Sequence, residues 1–95
     1  MKIKIGDYVH FVTELEEHGY GKVVCIHNHN QYDSPYLQKY IVQLDMTRTD
    51  SYIGWDYNRS GEKELDGVLP KGYQYWWIRE TEIRELNPSK IMDTE

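Results

Sequence analysis

The sequence predicts an all-β fold: a small curled barrel of five strands, with a long ordered insertion before the fourth. Three stretches carry this expectation: Gly6-Asp7-Tyr8-Val9, Gly19-Tyr20-Gly21-Lys22-Val23-Val24 and Tyr75-Trp76-Trp77-Ile78-Arg79-Glu80-Thr81-Glu82-Ile83. Each reads as a strand with its turn, rich in the β-branched and aromatic residues that suit a pleated, half-buried surface.

The first strand is residues 7–13. Side chains alternate across a strand, so Val9 and Phe11 share one face and Tyr8, His10 and Val12 the other. Glu14-Leu15-Glu16-Glu17-His18 follows as an acidic loop, ending at Gly19-Tyr20-Gly21. Two glycines there permit the positive φ of a sharp turn. The second strand covers 22–27. A polar loop from Asn28 to Tyr36 ends near Asp33-Ser34-Pro35, a turn signature. The third strand covers 38–45, with Tyr40, Val42 and Leu44 on one face.

Residues 46–72 have no clean period and carry turn signals at 52–54, 58–61 and 69–72. Loops longer than about 12–15 residues in a compact domain are usually functional or disordered. Tyr52, Trp55 and Tyr57 speak for order, since disordered segments are poor in aromatics. The expectation is an ordered excursion, with a hairpin across Asn58–Gly61 or a short helix near Lys63–Asp66. The fourth strand is 73–79. Glu80-Thr81-Glu82 makes a single helical turn, with Thr81 serving local backbone groups. Ile83–Leu86 closes the barrel, and Asn87-Pro88 breaks it. The organisation is one domain over 1–86 and a frayed, flexible tail over 87–95.

This order of elements resembles the SH3-like barrel of small KOW- or Tudor-type modules. The residues that carry the resemblance are the Gly-Asp that opens a strand, the Gly-rich segment into Lys-Val-Val, the strand Tyr40-Ile41-Val42-Gln43-Leu44-Asp45, and Trp76-Trp77-Ile78 before Glu80-Thr81-Glu82-Ile83. More narrowly, the chain is similar to short uncharacterised bacteriophage and prophage proteins with a Trp-Trp ending. The likeness covers 5–45 and 73–86 and leaves 46–72 outside it. It implies a module that binds peptides, proteins or nucleic acid, and fold alone does not choose among them.

Composition narrows the choice. The 95 residues make one domain. Only 39% are hydrophobic, but nine Tyr, three Trp and one Phe can anchor a thin core, at roughly 150–250 Å² buried each. Net charge is -5, from 16 acidic against 11 basic residues, and each third of the chain is mildly acidic. Nucleic-acid binders usually show the reverse balance, because phosphate contacts supply most of their affinity. A basic stripe of Lys22, Lys39 and Lys71 gathered by folding is the way this chain would still do it. Cys25 is the single cysteine, so no intramolecular disulfide forms and nothing points to an oxidising compartment. No apolar run approaches the roughly 18–20 residues of a membrane span, and the expectation is a cytoplasmic protein, in the host cytoplasm if phage-encoded.

Four sets of residues bear on chemistry. His27-Asn28-His29 puts two imidazoles at i and i+2, with Asp33, His10 or His18 as a third ligand. Zinc needs three or four ligands in tetrahedral reach, and solvated loop histidines are the ordinary reading. Cys25 beside His27 resembles a thiol–imidazole pair, but a mid-strand thiol in an apolar run is more simply buried. Glu14/Glu16/Glu17 and Glu80/Glu82/Glu85 are ordinary solvated carboxylates or, read sharply, an acidic surface complementary to a basic groove on another protein.

The aromatics lead. Tyr73, Tyr75 and Trp77 alternate with Gln74, Trp76 and Ile78. Only one face of a strand in a small barrel points inward. Either the 46–72 excursion packs over the second face, or aromatic surface stands free as a contact patch, since exposed Trp and Tyr are frequent hot spots. The expected function is therefore non-catalytic and cofactor-free binding of a protein partner. Its surface is acidic and aromatic, built from Tyr52, Trp55, Tyr57, Tyr73, Tyr75, Trp77 and Glu80. The phage resemblance implies an accessory factor that inhibits or modulates a host protein, one that handles nucleic acid or serves in defence. The alternatives are a nucleic-acid-binding KOW/Tudor-type module, a metal- or nucleotide-handling protein using His27 and His29, and a homo-oligomer joined through the aromatic patch.

Overall fold

In a computed structural model the described residues are 2–27, 34–56, 69–70 and 72–87. They form an all-β antiparallel structure: β1 (Tyr8–Val12), β2 (His18–Ile26), β3 (Gln38–Leu44), β4 (Trp55–Asp56), β5 (Gln74–Arg79), a 3₁₀ turn (Glu80–Glu82) and β6 (Ile83–Leu86). The strands make one sheet in the order β4-β5-β3-β2-β1-β6. The expectation of five strands is corrected to six, because the 46–72 insertion contributes the two-residue β4, which pairs with Tyr75 and Gln74. The segments of the expected hairpin (58–61) or short helix (63–66), and residues 88–95, lie outside the described residues. Among the described residues no strand pairing joins β6 to β4 or β5.

The inner face follows the alternation read from sequence. Val9 and Phe11 on β1 and Tyr40, Val42 and Leu44 on β3 are all buried, together with Val23, Ile53, Ile78 and Ile83. One cluster thus draws on β1, β2, β3, β5 and β6, so the sheet curls around a common interior.

Gly19 and Gly21 are not turn residues. Both lie inside β2, opposite Phe11 and Val9, and neither has positive φ. Their role is room. A Cβ on Gly19 would overlap the Phe11 ring, and one on Gly21 would overlap the Gln43 backbone and a Val42 methyl. The reversal from β1 to β2 falls earlier, at Thr13–Glu17. There the Thr13 amide donates to the Glu17 carbonyl (2.9 Å), and Thr13 Oγ1 accepts from the Leu15 and Glu17 amides (3.2 Å each). Glu16 supplies the left-handed residue, at φ 63°.

At the far end Asn87 belongs to the fold rather than to a tail. Its side chain accepts from the Tyr8 amide (3.0 Å) and its own amide donates to the Tyr8 carbonyl. Residues 45–53, which run from the end of β3 into the insertion, fold back onto β2. Thr49 Oγ1 accepts from the Tyr20 amide (2.9 Å) and donates to the Tyr20 carbonyl (3.0 Å).

Candidate functional site

The side chains of β5 divide between two clusters. Ile78 points into the main core, and Trp76 packs at the margins of both clusters. Tyr75 and Trp77 point the other way, into a second cluster with Ile41 and Leu69. Leu69 belongs to the insertion, and Tyr75 donates its hydroxyl to the carbonyl of the neighbouring Pro70. Leu69 and Pro70 of the insertion therefore cover Tyr75 on the second face of β5, while Trp77 on the same face stays half-buried; the side chain of Trp55 lies outside the described residues.

This settles the position of the expected contact residues. Tyr75 is fully buried, so its inclusion in a contact surface is corrected. Trp77 is half-buried, with the His27 ring set edge-on to it (centroids 6.0 Å apart, 84°). Glu80 is half-buried in the 3₁₀ turn. Tyr73 is 48% exposed and Tyr52 is 88% exposed. The backbone of Trp55 lies in β4, and Tyr57 lies outside the described residues.

Tyr52 instead joins a different set. An open cleft of about 360 Å³ runs between the β1–β2 turn and the last strands. That volume lies within the range of roughly 300–1,000 Å³ typical of ligand sites. One wall is the turn, through Thr13, Glu14, Leu15 and Glu17. The other is Gln38, Trp76, Arg79 and Glu82, and Tyr52 stands at the edge. Leu15 is 80% exposed beside it, so two of the most exposed apolar side chains meet at one site.

Arg79 organises the floor. Its guanidinium stands 3.2 Å from Glu82 and 3.5 Å from Glu14, and its Nε donates to the Tyr36 carbonyl (3.0 Å). Glu82 is buried and also accepts from the Arg79 amide (2.9 Å), so the 3₁₀ turn is tied to β5 by both groups of one residue. Three carboxylates against one guanidinium leave the cleft with an excess of two negative charges.

The cleft takes Trp76 where the expected contact surface has Trp77, and Glu82, one of the Glu80/Glu82/Glu85 set, where that surface has Glu80. The parity of Trp76 with Ile78 was readable, but its partial exposure follows from the distance of the turn at 13–17, which only the fold sets.

Other candidates resolve as follows. Among the described residues no three His, Cys, Asp or Glu side chains gather as a metal site, and His29 and Asp33 lie outside those residues. Burial pushes the Cys25 thiol up from its ordinary pKa, which keeps it protonated and a weak nucleophile. Lys22 lies across from Gln43 and Lys39 beside Tyr40, at opposite ends of the β2–β3 pairing, and Lys71 lies outside the described residues. No described helix is long and apolar enough to cross a membrane.

A second polar constellation occupies the outer face of β1 and β2. His10 Nε2 lies 2.9 Å from His18 Nδ1, and the His10 ring stacks on Tyr20 (centroids 4.4 Å apart, 7°). Arg48 packs over the Tyr20 ring, 4.1 Å from its centroid. Tyr8 donates its hydroxyl to Asp45 (2.7 Å). Burial, followed by that hydrogen bond, pushes the Tyr8 phenol up to about 12, against a smaller lowering by Arg48. The hydrogen bond from Thr47, reinforced by the one from Tyr8, holds Asp45 below the usual carboxylate range.

No protein-family model, curated protein or solved structure matches this chain.

Proposed function

We propose that the protein is a non-catalytic binding module that takes an extended segment of a partner protein in the cleft between Thr13–Glu17 and Trp76–Glu82. The observation that carries this reading is the pairing of free apolar surface with unbalanced charge. Tyr52 and Leu15 hold 88% and 80% of their surface in water beside Trp76, within reach of Glu14 and Glu17. The Tyr52 ring loses little conformational freedom on binding and supplies large contact area. The negative excess suits a partner segment with Lys or Arg side chains and opposes phosphate.

The strand arrangement supports an SH3-like reading of the fold. The last strand returns beside the first after a single helical turn, and five strands share one interior. With the residues quoted above, this keeps the likeness to phage accessory proteins as the source of the partner: a host protein bound and modulated in the cytoplasm. The rival, a nucleic-acid module, would need a basic groove, and the cleft has the opposite sign.

A pull-down from host lysate tests the reading. The wild type and Tyr73→Ala are expected to capture the same protein, and Tyr52→Ala with Leu15→Ser to lose it. Capture that survives the cleft pair and fails with Tyr73→Ala would move the contact to the outer face. Capture that is abolished by nuclease would favour the nucleic-acid reading.

A further inference from the structure

We propose that His10 and His18 form a one-proton latch that holds the acidic wall and the Tyr52 edge of the cleft and frees them when both rings are charged. The pair adjoins the turn that makes one wall of the cleft. His18 pairs with Val12, the last residue of β1, so it is the first strand residue after the turn 13–17 that makes one wall. The backbone of the same residue is clamped on its other side: the His18 amide donates to Asp50 Oδ2 (2.9 Å), and the Asp50 amide donates to the His18 carbonyl (2.9 Å). Ile53 donates in turn to the Asp50 carbonyl (3.1 Å), which fixes the short loop that carries Tyr52. A shift of His18 therefore moves the acidic turn and the Tyr52 edge together.

The 2.9 Å contact between two ring nitrogens counts protons. With both rings neutral, one nitrogen donates and the other accepts. With one added proton the contact persists, because the cation donates and the neutral ring accepts. A second proton leaves two N–H groups facing each other across the same gap, between two positive rings, so the contact breaks.

The surroundings decide how many protons are tolerated. From β6, Glu85 Oε1 stands 3.6 Å from His10 Nδ1, close enough to favour one charge but too far to hydrogen-bond, and Nδ1 is otherwise buried without a partner. From β2, Tyr20 covers the His10 ring and excludes water. From the 45–50 loop, Arg48 adds a positive charge over the Tyr20 ring, while the carboxylates of Asp45 and Asp50 are engaged by Tyr8 and by the His18 amide. Among the described residues one counter-ion, Glu85, thus faces the pair of imidazoles. Burial, then His18, lower the pKa of His10, and Glu85 opposes them. The physical consequence is a cleft that is held at neutral pH and loosened in mild acid.

Backbone amide exchange on the full chain tests the latch without any partner. Between pH 7.5 and 4.5, after correction for intrinsic rates, opening at the Thr13 and Asp50 amides is expected to rise about tenfold or more, the equivalent of one pKa unit of coupling. The Val23 amide, bonded to the Asp7 carbonyl away from the pair, should stay flat. His18→Gln, at an exposed position, and His10→Gln should each remove the rise. A flat wild type, an equal rise in both variants, or a rise shared by Val23 would overturn the proposal. Its importance rests on the cleft reading, but none of these readouts does, so the two can fail separately.

Discussion

The tip of the Phe11 ring fills the space in which Gly19, its cross-strand partner, would carry a side chain. Phe11 is fully buried and cannot swing into solvent. Gly19→Ala should therefore destabilise by roughly 1–3 kcal/mol, the usual cost of overpacking a tight core. Urea unfolding measures it. A glycine kept only for a turn would tolerate alanine here, because its φ is not positive. An unchanged midpoint would mean that the ring relaxes freely.

That contact also marks the limit of what the sequence could tell. β1, β3, β6 and the 3₁₀ turn were legible within a residue or two, because each has a clean alternation or a local turn residue. β2 was read too short, since Gly19 and Gly21 look the same whether they supply backbone freedom or space. The cover over Tyr75 was undecidable locally, as Leu69 and Pro70 reach it through a segment with no period. The cleft was least legible. Its parts come from 13–17, Tyr52 and 76–82, and no pattern in any one of them announces the others.

Thr49 went unmarked in the sequence, yet it acts as a missing strand residue. It is buried, and its hydroxyl serves the amide and the carbonyl of Tyr20 at once. Thr49→Val keeps the shape and removes both bonds. The Tyr20 carbonyl retains the Asp45 amide at 2.7 Å, but the Tyr20 amide is left unpaired. The expected cost is roughly 1–3 kcal/mol by chemical denaturation. Thr49→Ser keeps both bonds and should cost under about 1 kcal/mol, the value of one methyl group. Equal costs would assign the residue to packing.

Tyr8 predicts an alkaline limit to stability. Its folded pKa, about 12, exceeds its ordinary 10.0, so the folded state holds the phenolic proton more tightly than the unfolded chain does. Its contribution is fully present below pH 10 and is lost as pH rises toward 12. Asp45, held low, has the opposite sign: its contribution is present above pH 3.8 and fades as pH falls through the lowered value. The stability gap between wild type and Tyr8→Phe should therefore shrink between pH 10 and 12. Urea midpoints at pH 8, 10.5 and 11.5 measure it. A constant gap would remove the coupling between Tyr8 and Asp45.

Tyr52 and Tyr75 should separate binding from stability. Tyr52 has 88% of its surface in water, so Tyr52→Ala should change stability by no more than about 0.5 kcal/mol. It should nevertheless abolish partner capture, because the ring frames the cleft. Tyr75→Phe does the reverse. It deletes the hydroxyl that holds Pro70, and the freed carbonyl can take water, so the cost should be about 1 kcal/mol with capture unchanged. Thermal unfolding and the same pull-down read both variants together. If Tyr75→Phe loses the partner while Tyr52→Ala keeps it, recognition lies on the face that the insertion covers, and the cleft is a surface feature of the turn.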